Sequence, residues 1–123
     1  MILQARVRLR SVALVTPVIP SRSIRGVYYK AESLQLTGSF KLRTAYNQIA
    51  ELTPEQTERG IVTSSSGNFA QGAAYAASLR RIPATIVMME SSNPVKVQKT
   101  RQFGAKVVFC EDRFEARQEM VDR

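Results

Sequence analysis

The run Ala84-Thr85-Ile86-Val87-Met88-Met89 constrains this chain most. A half-exposed antiparallel strand would alternate apolar with polar residues. A near-continuous apolar run reads instead as a strand covered on both faces, the usual situation in a parallel sheet. Parallel neighbours need long crossovers, which helices fill. The rest of the chain supplies both kinds of segment. Gly26 to Lys30 is a β-prone run, expected to end near Glu32; Ile61 to Ser64 and Lys106 to Cys110 are two more. From Ser39 onward, Leu42, Ala45, Tyr46, Ile49 and Leu52 fall on one helical face. Thr53-Pro54-Glu55 caps and starts a short helix that stops at Gly60. Gly67-Asn68 opens an Ala-rich helix, and Ser92-Asn93-Pro94 caps another that runs to Phe103 with Gly104 as its stop. A last helix has Phe114, Arg117, Gln118 and Val121 on one side, and an N-terminal helix runs from Ile2 to Val15 until Thr16-Pro17 ends it. The alternation predicts an α/β fold: an open parallel sheet with helices on both faces, and a ligand site at the carboxyl ends of its strands.

Composition removes several function classes. The 123 residues suffice for one domain with a genuine core. Cys110 is the single cysteine and histidine is absent, which excludes a disulfide framework, His-based triads and almost all zinc sites. Cys110 reads as a small apolar residue ending a buried strand. The net charge of +8 raises nucleic-acid binding, but Lys and Arg are scattered and do not interleave with aromatics as a stacking platform would, so no nucleic-acid partner is expected. No apolar stretch approaches a membrane span. Arg6, Arg8, Arg10, Arg22, Arg25 and Lys30 precede the first acid, Glu32, a composition like that of a transit peptide. The simpler reading is the N-terminal helix and a cytoplasmic location.

Two loops carry the chemistry. Thr37-Gly38-Ser39-Phe40-Lys41 and Ser64-Ser65-Ser66-Gly67-Asn68 each read as a junction between an extended segment and a helix. At a helix start, free N–H groups and the positive dipole end disfavour a charged amine, and an uncharged lysine is what attack on an aldehyde requires, giving a Schiff base. Gly38 permits a tight turn, and Phe40 sets a flat apolar face beside the amine. The bland alternative is a surface lysine in a helix cap. In the second loop, hydroxyls and helix-start N–H groups converge on a point suited to a carboxylate or phosphate, and Asn68 can donate or accept. There the bland alternative is an ordinary N-cap with polar neighbours.

The stretch from Lys30 to Arg43, Lys-Ala-Glu-Ser-Leu-Gln-Leu-Thr-Gly-Ser-Phe-Lys-Leu-Arg, resembles the lysine motif of the threonine dehydratase and serine racemase group of fold-type II pyridoxal-phosphate (PLP) enzymes. Ser65-Ser66-Gly67-Asn68-Phe69-Ala70-Gln71-Gly72 is similar to that group's substrate-carboxylate loop. Order and separation also match, and the likeness runs over nearly the whole chain. The resemblance implies that Lys41 is the Schiff-base lysine and the base that takes the substrate's α-proton. It implies that Phe40 packs beside the cofactor ring and Asn68 bonds its 3′-oxygen. Ser65, Ser66, Gly67, Asn68 and the backbone at Phe69 would hold the substrate carboxylate, and Ser66 matches the residue acting on the opposite face of Cα in racemases. The implied reaction converts L-threonine or L-serine to a 2-oxo acid and ammonia, with PLP carrying the electron flow, in an enzyme that is a homo-oligomer when complete. Phe69 and Thr44 depart from the common pattern, which has His and Gly there. The family's run of four glycines for the cofactor phosphate has no counterpart, since the six glycines are all isolated. The chain therefore reads as an N-terminal fragment: residues 1–38 belonging to the larger domain, and residues 39–123 forming an incomplete smaller α/β domain.

Overall fold

The computed structural model describes residues 2–122. Its centre is a three-stranded parallel sheet of β3 (Ile61–Ser64), β4 (Ala84–Met89) and β5 (Lys106–Cys110), in that spatial order. Register pairs Ser64 with Val87 and Met89 with Cys110, so β4, the apolar run, lies in the middle. Its alternate residues face opposite ways. Ile86 and Met88 join a core shared with α4 (Asn68–Leu79) and α5 (Pro94–Gln102), while Val87 packs with Cys110 and with Ala116 of α6 (Phe114–Asp122). Both faces of β4 are covered, as the sequence predicts.

The helices form where their caps and apolar faces dictate. In α2 (Lys41–Ile49), Leu42, Ala45 and Ile49 are buried at spacings of three and four. Thr53 and Gln56 close a reciprocal capping box at the start of α3 (Pro54–Arg59). Gly60 then turns the chain with φ of +82°, and a Cβ there would meet the Pro83 carbonyl oxygen at 2.6 Å, so only glycine fits. Asn93 caps α5 through the Val95 N–H at 2.9 Å. No helix among the described residues is long and apolar enough to cross a membrane.

The N-terminal third departs from expectation. Helix α1 covers only Ile2–Leu9 and stops well short of Val15. The cause is long-range: the Gln35 side chain accepts from the Leu14 N–H and donates to the Leu14 carbonyl, and Arg43 donates to that same carbonyl. These bonds take the backbone groups a longer helix would have used. The strand expected from Gly26 is β2 (Tyr28–Lys30), and it does not enter the parallel sheet. It pairs antiparallel with β1 (Val18–Pro20), a strand that Pro17 before it and Pro20 at its end conceal in the sequence. In α6 the buried residue is Ala116, with Met120 and Val121 packed beside it, whereas Phe114 lies exposed under the Arg117 guanidinium.

Candidate active site

Ser65, Ser66 and Gly67 form the junction between β3 and α4 at the carboxyl end of the sheet, where the sequence places them. The Ser65 N–H continues the sheet by donating to the Val87 carbonyl at 3.0 Å. Ser65 Oγ accepts the Gly67 N–H at 3.3 Å, and Ser66 Oγ accepts the Met89 N–H at 3.0 Å. Each serine is thus fixed through its oxygen and keeps a proton to donate. Gly67 stands at the N-cap of α4, and no side chain caps the helix. The start of a twelve-residue helix is therefore left with free N–H groups and a positive dipole end, a combination that favours an anion. The two serine oxygens accept from the N-cap residue Gly67 and from Met89, and neither accepts from an N–H inside α4. Asn68 is exposed at the first position of the helix. The Phe69 side chain turns inward to the core and lines a cavity of about 220 Å³ with Ala45, Ile49 and Thr63, so what it can offer an anion is its backbone.

Lys41 opens α2, but no strand leads directly into it. Between β2 and α2 lie a 3₁₀ turn, Glu32–Leu34, and a turn-rich loop. Gly38, at φ of +73°, makes the tight turn. Gln35, Thr37 and Ser39 are buried in alternation along this loop. Ser39 Oγ accepts the Lys41 N–H at 3.3 Å, the same device that Ser65 provides for Gly67. Lys41 is half-buried, and its Nζ rests 4.6 Å from the centre of the Phe40 ring, itself half-exposed. Thr37 Oγ1 is buried with no hydrogen-bond partner among the described residues, an orphan hydroxyl of the kind a bound group satisfies.

Gly72 brings the two loops together. A Cβ at this position would lie 3.1 Å from Lys41 C, Lys41 O and Leu42 N, so the start of α2 presses directly on α4. Gly72 is four residues beyond Asn68, about 6 Å of helix rise. The Lys41 main chain thus sits about one helical turn from the anion cup. Sequence reasoning passed over Gly72, although a glycine inside an otherwise Ala-rich helix is the signal of a close approach. It also gave no separate role to Glu32 and Arg43. Glu32 accepts two bonds from Arg43, at 2.8 and 2.9 Å, and one from Thr16. The Arg43 hydrogen bonds, helped by Thr16, hold the Glu32 carboxyl down at about 2 against the opposing effect of burial.

Two larger cavities, of about 540 and 550 Å³, lie along α1 and between α5 and β5; Lys30 and Arg43, the two ends of the lysine motif, line the first, and no residue of 37–41 or 64–68 lines either. The two loops form an open face. What they fit is the carbonyl end of an aldehyde cofactor and an anionic substrate: an amine on a flat ring, an unfilled hydroxyl and an uncapped helix start. A cradle for a cofactor phosphate is not among these residues, the six glycines all being isolated.

The family model described as "Pyridoxal-phosphate dependent enzyme" matches residues 10–123. An L-threo-3-hydroxyaspartate ammonia-lyase from Pseudomonas sp is 43% identical over 127 aligned positions, covering 99% of this chain and 40% of that protein. An L-threonine ammonia-lyase from Thermotoga maritima is 54% identical over 82 positions, 67% of this chain and 20% of its own. The solved structure of maize serine racemase superposes with a TM-score of 0.94 at 36% identity, over 99% of this chain and 39% of that one. The chain spans at most about two-fifths of the length of these relatives.

Proposed function

Since the chain belongs to the pyridoxal-phosphate dependent enzymes, we propose that its two loops are the lysine and carboxylate sides of a PLP site in an ammonia-lyase of the threonine/serine type. The reaction takes L-threonine or L-serine to a 2-oxo acid and ammonia. The observation that carries this reading is the contact at Gly72, which sets Lys41 about one turn from the uncapped start of α4.

Lys41 would hold the cofactor covalently through its amine and would take the proton from the substrate's Cα. Phe40 offers the flat face beside the ring, and Asn68 offers its amide to the ring's 3′-oxygen. The Ser65 and Ser66 hydroxyls and the N–H groups of Asn68 and Phe69 would hold the substrate carboxylate, with Gly67 letting it approach the backbone. The cofactor, when bound, supplies the electron sink for the bond broken at Cα. Loss of the β-hydroxyl as water would leave an enamine, whose hydrolysis would give the 2-oxo acid and release the nitrogen as ammonia. Ser66 also carries the second reading, serine racemase-type proton transfer on the other face of Cα. Its oxygen is anchored on Met89 and its proton is free.

On this reading residues 1–38 belong to a larger domain and residues 39–123 to the smaller one. The complete enzyme is a cytoplasmic homo-oligomer with a small amino-acid substrate. Without a phosphate cradle, the isolated chain takes up PLP weakly and turns over little. Titration of the purified chain with PLP tests the reading: an absorbance band of a lysine-bound cofactor is expected for the native chain and lost in Lys41→Ala. A folded chain showing no such band would favour a non-catalytic α/β module.

A further inference from the structure

Arg43 follows Lys41 by two positions, so the two side chains leave α2 on nearly opposite sides. Whatever holds Arg43 therefore fixes the rotation of the helix and, with it, the direction of Lys41. Arg43 is held by three bonds: Nε to Glu32 Oε2 at 2.8 Å, Nη2 to Glu32 Oε1 at 2.9 Å, and Nη2 to the Leu14 carbonyl at 2.9 Å. Glu32 is held in turn. Thr16 Oγ1 donates to its Oε1 at 2.5 Å, and Lys30 donates to the Thr16 carbonyl. Gln35 grips the Leu14 backbone through both its N–H and its carbonyl. At the helix start the N-cap residue, Phe40, makes no side-chain cap, and the local side-chain bond is the long one from the Lys41 N–H to Ser39 Oγ at 3.3 Å.

The side chains of Arg43 and Glu32 keep 31% and 15% of their exposure, so the pair is largely withdrawn from water. Desolvation offsets much of the attraction in such a pair, and its net stabilisation is small. Its two-pronged guanidinium–carboxylate contact nevertheless admits a single geometry. A contact of that kind is suited to setting register.

We propose that Glu32 and Arg43 are positioning residues for Lys41: anchored on Thr16 and the Leu14 backbone, they set the rotation of the first turn of α2 and so aim the Lys41 amine. The role toward the cofactor rests on the reading of Lys41 given above. The ordering of α2 does not, and it can be measured without PLP.

Glu32→Gln keeps the size of the side chain and gives up its charge; Arg43→Lys keeps the charge and gives up the fork. Each is compared with the native chain by amide hydrogen exchange, and by the rate at which PLP plus borohydride labels Lys41 relative to the exposed Lys106. Exchange at residues 39–43 is expected to rise roughly tenfold more than exchange at the β4 amides, the loss of about one charge-assisted bond. The Lys41-to-Lys106 labelling ratio should fall by a similar factor. Exchange that rises evenly through the chain with an unaltered ratio means a merely stabilising pair and overturns the proposal. So does no change in either quantity. A native chain that labels Lys41 no faster than Lys106 removes the cofactor reading instead, and the exchange pattern then decides the clamp alone. Should Glu32→Gln not fold, Arg43→Lys carries the same comparisons.

Discussion

Gly72 is where a single atom decides the distance between the two loops. Adding a methyl group puts a carbon 3.1 Å from the Lys41 carbonyl, closer than backbone and Cβ normally meet. Gly72→Ala should therefore push α2 off α4 by a few tenths of an ångström and cost about 1–3 kcal/mol of stability. Urea denaturation checks the cost, and a slower reaction of Lys41 with PLP checks the displacement. Glu32 makes a prediction of another kind. Its carboxyl lies at about 2 in the folded chain and at 4.5 when unperturbed, so the unfolded form binds its proton first as pH falls. Its contribution is whole above pH 4.5 and disappears as pH drops toward 2. Glu32→Gln should lower the melting temperature near neutral pH and flatten its dependence between those values. An identical pH slope in both proteins would contradict the assignment.

At the scale of elements, the local signals that physics makes strong were legible in the sequence. The cap and start of α3 follow from Thr53-Pro54-Glu55 alone, to which the structure adds the reciprocal bond of Gln56, and Thr53→Ala should cost about 1 kcal/mol by denaturant titration. Strand β4 was readable because burial on both faces leaves an unmistakable apolar run. The Ser65–Asn68 junction was readable because β3 and α4 are each locally determined. What the sequence could not show was set by distant partners. Helix α1 ends at Leu9 because side chains from positions 35 and 43 hold the Leu14 backbone. Strand β1 exists only through its pairing with β2. The approach of α2 to α4 depends on a missing side chain, which leaves no periodicity to detect. Lys41 was found by its motif, whereas the strand thought to lead into it belongs to a separate ribbon.

The molecule as a whole is uneven. From Leu42 to Cys110 an Ala-rich core closes around one sheet, while Val15, Val18, Ile19, Tyr28, Tyr29 and Phe40 present apolar surface in the N-terminal third. All residues of the β1–β2 ribbon are exposed. Exposed apolar side chains in this number favour association. Sedimentation should show the chain self-associating as its concentration rises. Ile19→Lys combined with Tyr28→Lys should weaken that association while leaving the melting temperature nearly unchanged.

The central claim is that Lys41 is the amine this fold sets aside for an aldehyde cofactor. Borohydride reduction of the PLP-treated native chain, followed by peptide mapping, tests it most directly. The account predicts a pyridoxyl group concentrated on Lys41, with Lys96, Lys99 and Lys106 modified far less at limiting PLP. Labelling spread evenly over the lysines, or absent from Lys41, would contradict it.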